Sequence, residues 1–186
     1  MKIILLQGNF PEKYAGTRHN VAFAFADFFA EKFGVKFVEK SKFQADLAEI
    51  SLNDEKVLLV KPRTYYNETG FSARALCDFY KVDFRNDFLA IHDDLALDFG
   101  VVRTRKSGSD AGNNGLKSLI SVFGEDFSRI KIGIANDFLA KMDSADFVLA
   151  KFSKAESEKL PQIFEICESF VVDFSKDKFE NTKRSI

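Results

Sequence analysis

Two hydrophobic periods alternate along this chain, and that alternation constrains its fold more than any other feature. Stretches at Lys2–Gln7, Gln44–Leu52, Lys56–Lys61, Phe88–His92, Val101–Arg105 and Arg129–Ala135 read as strands. The last sets Ile130, Ile132 and Ile134 on one face and Arg129, Lys131 and Gly133 on the other, the period of two that a pleated strand imposes. Between these runs the period lengthens. Val21, Phe25, Phe28, Phe29 and Phe33 recur at helical spacing ahead of Gly34, which sits where a C-cap belongs. Further helices are predicted over Phe71–Tyr80 and over Asn114–Phe123, the latter stopping at Gly124. A last one begins at Ser153, where Ser153 and Glu156 form a capping-box pattern, and Pro161 kinks it or marks its restart. Strands interleaved with helices predict an α/β fold, one twisted mixed sheet surrounded by helices. The sheet is expected to be mixed because Asn53-Asp54-Glu55 makes a hairpin-like connection between two of the strands.

No repeat, low-complexity tract or Pro/Ser-rich linker interrupts the pattern, so residues 1–186 read as a single domain. The 22 Phe residues are spread along the chain, which suits core filling and not a platform for stacking bases. A net charge of -1 gives no global pull toward nucleic acid, so any RNA contact must use a local patch. Cys77 and Cys167 lack the paired spacing of a zinc or redox motif and are expected to be buried, reduced thiols. The apolar run Ile3 to Leu6 is too short for a signal-peptide core or a membrane helix, so a cytoplasmic location is expected.

Chemistry is confined to a few places. Only two histidines exist. His19 lies in Thr17-Arg18-His19-Asn20 at the entrance to the first helix, and His92 in His92-Asp93-Asp94 at the expected end of a strand, where open α/β sheets collect their ligands. Either could equally serve as a cap or a surface residue. Three loops following strands are rich in Asn and Gly: Gln7-Gly8-Asn9, Tyr65-Tyr66-Asn67 and Gly108 to Gly115. An uncharged amide can hold a neutral ester or stabilise an oxyanion, although each Asn taken singly also fits a helix cap or a turn. His92-Asp93-Asp94 offers donors for a divalent metal, a weaker reading because no carboxylate-rich motif accompanies it. Arg103 and Arg105 point to the same side of their strand, a reasonable phosphate clamp, whereas Lys117 and Lys183-Arg184 read as solvated charge. No Walker loop, nucleophile elbow or dinucleotide fingerprint is present.

The order of these motifs resembles the bacterial peptidyl-tRNA hydrolases. The resemblance runs from Asn9, Tyr14 and Thr17-Arg18-His19-Asn20 through Lys61-Pro62-Arg63-Thr64-Tyr65-Tyr66-Asn67-Glu68-Thr69-Gly70 and His92-Asp93-Asp94-Leu95. It continues through Gly112-Asn113-Asn114-Gly115-Leu116-Lys117, Arg129 to Ile134 and Phe147 to Phe152, and so spans nearly the whole chain. It implies a monomeric, peptidyl-tRNA hydrolase-like α/β domain with no cofactor and no membrane association. The implied partner is peptidyl-tRNA, bound at its acceptor stem and 3′ end, and the implied reaction cleaves the ester between a peptide, or any N-blocked amino acid, and the tRNA. His19 would then activate water, Asp93 would orient the imidazole, and Asn9 and Asn114 would hold the substrate and help stabilise the oxyanion. Asn67 would bind peptide or terminal nucleotide, Tyr14 would shape the cleft, and Arg105 and Lys131 would grip tRNA phosphate.

Several positions depart from the family pattern. Gln7-Gly8-Asn9-Phe10-Pro11 replaces the usual Asn-Pro-Gly turn, Lys131 a usual Arg, and Ala135-Asn136-Asp137 a usual Gly-x-Pro-like stretch. Tyr66 replaces a usual Met, adding bulk and a hydroxyl beside the peptide, and Asn113 replaces a common His in the substrate cleft. Two other readings remain open at this point: a catalytically impaired tRNA- or RNA-binding paralogue of the same fold, and a metal-dependent hydrolase built on His92-Asp93-Asp94.

Overall fold

A computed structural model describes residues 1–186. The strands are β1 (Lys2–Leu6), β2 (Val38–Lys40), β3 (Ala45–Leu52), β4 (Glu55–Pro62), β5 (Phe88–Asp98), β6 (Val101–Arg105), β7 (Ser128–Ala135) and β8 (Lys183–Ser185). They form one sheet in the order β2-β3-β4-β1-β5-β7-β6-β8. β4, β1, β5 and β7 run parallel at its centre and the outer strands pair antiparallel, so the sheet is mixed, as the sequence predicts. Asn53 and Asp54 both take positive φ, which closes the β3–β4 hairpin in two residues.

The helices are α1 (Val21–Lys32), α2 (Thr69–Tyr80), α3 (Asn114–Phe123), α4 (Ser144–Leu149), α5 (Lys154–Ser157) and α6 (Leu160–Ser175). Phenylalanines of α1 and α6 pack with the isoleucines of β7 on one face of the sheet, and α2 and α3 cover Phe88 and Ala90 on the other. The Ser153–Glu156 capping box opens α5, and Pro161 sits in the first turn of α6, so the proline marks a restart and not a kink. Both cysteines are free and buried. No helix is long and apolar enough to cross a membrane.

One expectation needs correction. β5 does not end at His92 but continues through Asp98, with Asp93 and Asp94 paired to Ile132 and Gly133 of β7. Two adjacent carboxylates read locally as a strand end; here partners from other elements satisfy them. Lys183-Arg184 is exposed to solvent, as expected, and in addition builds the edge strand β8 against β6, all three of whose residues are exposed. β2 is likewise a short exposed edge. Charged, abbreviated edges of this kind discourage pairing with a second chain.

What positions the site is the early end of β1. Its pairing to β5 stops at Leu6 opposite Ile91, so β5 runs on past its neighbour with one flank uncovered. The chain after β1 folds back into that gap as a single 3-10 turn, Arg18–Asn20. Arg18, buried to 4% exposure, rivets the turn in place. Its guanidinium makes a two-pronged pair with Glu156 at 2.9 and 2.7 Å, donates to the Ile134 carbonyl, and lies over the rings of Phe147 and Phe152. Burial works against the Glu156 charge. Arg18, the Ser153 N–H and Asn136 outweigh it and bring its carboxyl down to about 2.

Glu156→Gln should therefore lower the melting temperature by roughly 4–8 °C, about 2 kcal/mol for a chain of this size. Because the folded-state pKa is depressed, this contribution is complete above the ordinary carboxylate pKa of about 4.5 and is lost as pH falls toward 2. Thermal melts of both proteins from pH 7 to pH 3 check this: the difference should shrink with acidity.

Candidate active site

The loop after β1 and the turn carrying His19 are locked together by their asparagines. Asn9 N–H donates to Asn20 Oδ1 at 2.8 Å, and Asn20 Nδ2 donates back to the Asn9 carbonyl at 2.9 Å. The Asn9 side chain accepts from the Tyr66 backbone N–H through Oδ1 at 3.0 Å, which ties in the loop after β4 and leaves Nδ2 as the amide's remaining donor. Sequence reading quoted Asn20 but gave it no task; its adjacency to His19 was the available signal. The pairing of Arg18 with Glu156, read only as a capping-box residue, did not stand out, because the two lie far apart along the chain.

His19 meets Asp93 across the gap beside β5. Its Nδ1–H donates to Asp93 Oδ2 at 2.9 Å, since an ionised carboxylate can only accept. The other oxygen, Oδ1, accepts from the Tyr66 hydroxyl at 2.5 Å. Asp93 is 2% exposed, so its charge is carried almost wholly by these two bonds. The Tyr66 ring stacks on the imidazole, with centroids 3.5 Å apart and an interplanar angle of 17°. The Tyr66 hydroxyl is thus turned inward to Asp93, contrary to the expectation that it faces the peptide. Burial, reinforced by the Asp93 charge, raises the phenol well above its usual pKa and keeps it a donor.

Asn113 caps α3 by accepting from Leu116 N–H, and its Nδ2 donates to the Tyr66 hydroxyl and to the Asp93 carbonyl. Gly115 makes the stack possible: a Cβ there would collide with Cε1 of Tyr66 and with Gln7 Oε1. His19, Asp93, Tyr66 and Asn113 therefore form one contact network, with Asn9 bonded to its edge.

Two cavities, of about 590 and about 630 Å³, meet at this network, and His19 and Asn114 line both. Asn67, Phe71 and Lys117 border the first; Asp94, Lys131 and His92 border the second. Asn9 borders a smaller cavity on the Phe10 side, and Tyr14 lines neither of the two that meet at His19. Lys131 is ion-paired to Asp94 at 2.7 Å. Burial opposes the Asp94 charge, yet Lys131 and the Ala96 N–H hold its carboxyl below the usual range. Arg103 lies beside Lys131 and Arg105 beside Arg129 across the β6–β7 ladder, so the sheet carries a basic row away from the second cavity. Arg129 itself is buried, donates to the Ser109 and Glu125 carbonyls, and fastens the loop ahead of α3. His92 is bonded to the Asp93 backbone carbonyl and Asp94 to Lys131, neither to the Asp93 carboxylate, and no group of three His, Cys, Asp or Glu converges to hold a metal ion.

A sequence profile described as Peptidyl-tRNA hydrolase matches residues 3–186. The chain belongs to the peptidyl-tRNA hydrolase family. It is 39% identical over 173 residues to the peptidyl-tRNA hydrolase of Fusobacterium nucleatum, covering 93% of this chain and 88% of that one. To the peptidyl-tRNA hydrolase of Lactiplantibacillus plantarum it is 47% identical over 160 residues, covering 86% and 84%. The crystal structure of peptidyl-tRNA hydrolase from Acinetobacter baumannii superposes with a TM-score of 0.87 at 28% identity, covering 95% of this chain and 89% of that one. The peptidyl-tRNA hydrolase family thus accounts for the whole architecture around the network.

His92 supplies a separate prediction. It is buried, its Nδ1–H donates to the Asp93 carbonyl at 2.6 Å, and its Nε2 has no partner. Burial pushes its pKa down to about 4, against the attraction of Asp93 and Asp94. The unfolded chain then binds a proton that the folded chain refuses, so stability is undiminished above about pH 6.5 and falls as pH drops toward 4. In His92→Gln this slope should flatten, measured as urea midpoints at pH 7 and pH 5.

Proposed function

We propose that this cleft hydrolyses the ester joining a peptide, or any N-blocked amino acid, to the 3′ end of tRNA, with His19 as the general base. The observation that carries this reading is that His19 and Asn114 stand where two cavities meet. A peptidyl ester of tRNA has two unlike halves, and its scissile bond belongs at such a junction. The cavity bordered by Asn67 and Phe71 receives the peptide. It contains Lys117 and no carboxylate, so a free α-ammonium finds repulsion and no partner there. That difference favours N-blocked substrates over free aminoacyl-tRNA. The cavity bordered by Lys131 receives the terminal nucleotide, and Arg103 and Arg105 take phosphates of the acceptor stem along the sheet. Tyr14 supports the rim of the cleft. The enzyme works as a monomer, as one domain and in the cytoplasm.

Each step follows from the proton positions. With Nδ1–H committed to Asp93, Nε2 carries the free electron pair of the neutral imidazole. Nε2 takes a proton from water as the water oxygen bonds to the ester carbon. The carbonyl oxygen becomes an oxyanion, which the amide donors of Asn9 and Asn114 stabilise. Asp93 meanwhile stabilises the imidazolium. The imidazolium then returns the proton to the departing ribose oxygen as the C–O bond breaks, leaving a free peptide acid and a free tRNA.

His19→Ala should lose about 10³-fold in release of tRNA from an N-blocked aminoacyl-tRNA, a typical share for a general base. A variant within a few-fold of wild type would sink the assignment, and the wild-type rate should survive a chelator. Arg105→Ala should weaken tRNA binding and reduce the salt slope by about 0.9, the effect of one lost phosphate contact. It should cost far less on a minimal esterified nucleotide. Equal losses on both substrates would contradict the clamp.

A further inference from the structure

A run of hydrogen bonds with one fixed direction leads from α3 to His19. The Leu116 N–H, in the first turn of the helix, donates to Asn113 Oδ1 at 3.0 Å and so decides which end of that amide faces the cleft. The other end, Nδ2, donates to the Tyr66 hydroxyl oxygen at 3.1 Å and to the Asp93 carbonyl at 3.2 Å. A phenol carries a single proton. With an N–H arriving at its oxygen, that proton is directed to Asp93 Oδ1, 2.5 Å away. Asp93 then has one oxygen left for His19, and it is the one 2.9 Å from Nδ1. The direction of every bond is set by a backbone N–H, which can only donate.

Tyr66 acts on His19 a second time through its ring. The in-plane bond to Asp93 fixes where Nδ1 points but leaves the imidazole able to tilt about it. The phenol ring, 3.5 Å away and within 17° of parallel, removes that freedom. An aliphatic side chain of similar volume fills the space but neither lies flat nor donates. The surroundings are cut for a flat ring, since even one methyl group on Gly115 would strike its edge.

We propose that Tyr66 is a positioning residue for the hydrolysis, and that Asn113 acts through it. Together they hold the Asp93 carboxylate in one rotation and the His19 ring in one plane, so that Nε2 is the unprotonated nitrogen facing the reacting water. The two positions, Tyr for Met and Asn for His against the family pattern, are then one coupled change and not two separate ones. The inference rests on His19 being the base.

Tyr66→Phe keeps the stack and removes the donor, so kcat should fall about tenfold while KM stays within about twofold, the loss of one hydrogen bond to a charged group. Tyr66→Met removes both functions and should fall further in kcat. Asn113→Ser keeps a capping oxygen for α3 but not the amide donor. It should lower kcat about threefold in the wild-type background and less than 1.5-fold in Tyr66→Phe, because its effect passes through the phenol. All rates are to be taken on an N-blocked aminoacyl-tRNA well below each variant's melting temperature. A Tyr66→Phe enzyme with wild-type kcat, a loss confined to KM, or independent effects of the two substitutions would overturn the proposal. Failure of the base assignment is seen separately, as an active His19→Ala.

Discussion

A carboxylate with almost no access to water must have its charge answered by the protein, and Asp93 is such a group. One oxygen takes the Tyr66 hydroxyl and the other the His19 ring, and the architecture around it is arranged to deliver those two donors. β5 has to outrun β1 so that the carboxylate faces open space. The chain after β1 has to turn back at once to fill that space with an imidazole. The loop after β4 has to drop a tyrosine beneath it. The connections after β1 and β4 thus converge on the buried charge of β5, at the carboxyl ends of the parallel strands.

His19 itself stands on a single 3-10 turn, a poor foundation by length alone. Rigidity comes from its neighbours in sequence. Arg18 reaches away from the cleft into a pocket formed by Glu156, the Ile134 carbonyl and two phenylalanines, while Asn20 binds the turn to Asn9. Thr17 bridges to Lys151, and Arg18 N–H donates to the Ala150 carbonyl. The residues flanking His19 are therefore structural on both sides. A turn fixed at three places can present its middle side chain with little freedom, which a base working on a bound water requires.

Most of the sheet was legible because burial writes a periodic pattern. The isoleucines of β7, the hairpin turn at Asn53-Asp54 and the limits of α3 at Asn114 and Gly124 all follow from local chemistry. What escaped was non-local. β8 has no apolar residue to betray it and exists only because β6 offers an edge. The true length of β5 was hidden by two aspartates whose partners, His19, Tyr66 and Lys131, lie on other elements. In the site, the candidate residues could be chosen from motif order, but the direction of the Tyr66 hydroxyl depends on Asn113 and Gly115, about fifty residues further along the chain. The Lys131–Asp94 ion pair was hidden in the same way, since its two partners lie on different strands.

The stack on His19 also bears on what small molecules the cleft can accept. An imidazole has two faces, and Tyr66 covers one of them. A flat inhibitor head group therefore cannot slide between the two rings without prying Tyr66 from its carboxylate. The approach that remains is to the ring edge at Nε2 or to the opposite face, from the junction of the two cavities. Compounds shaped to hydrogen-bond that edge while reaching into both cavities fit the site as built. Compounds that depend on an intercalated aromatic plate should discriminate against it in favour of relatives whose corresponding residue is not aromatic.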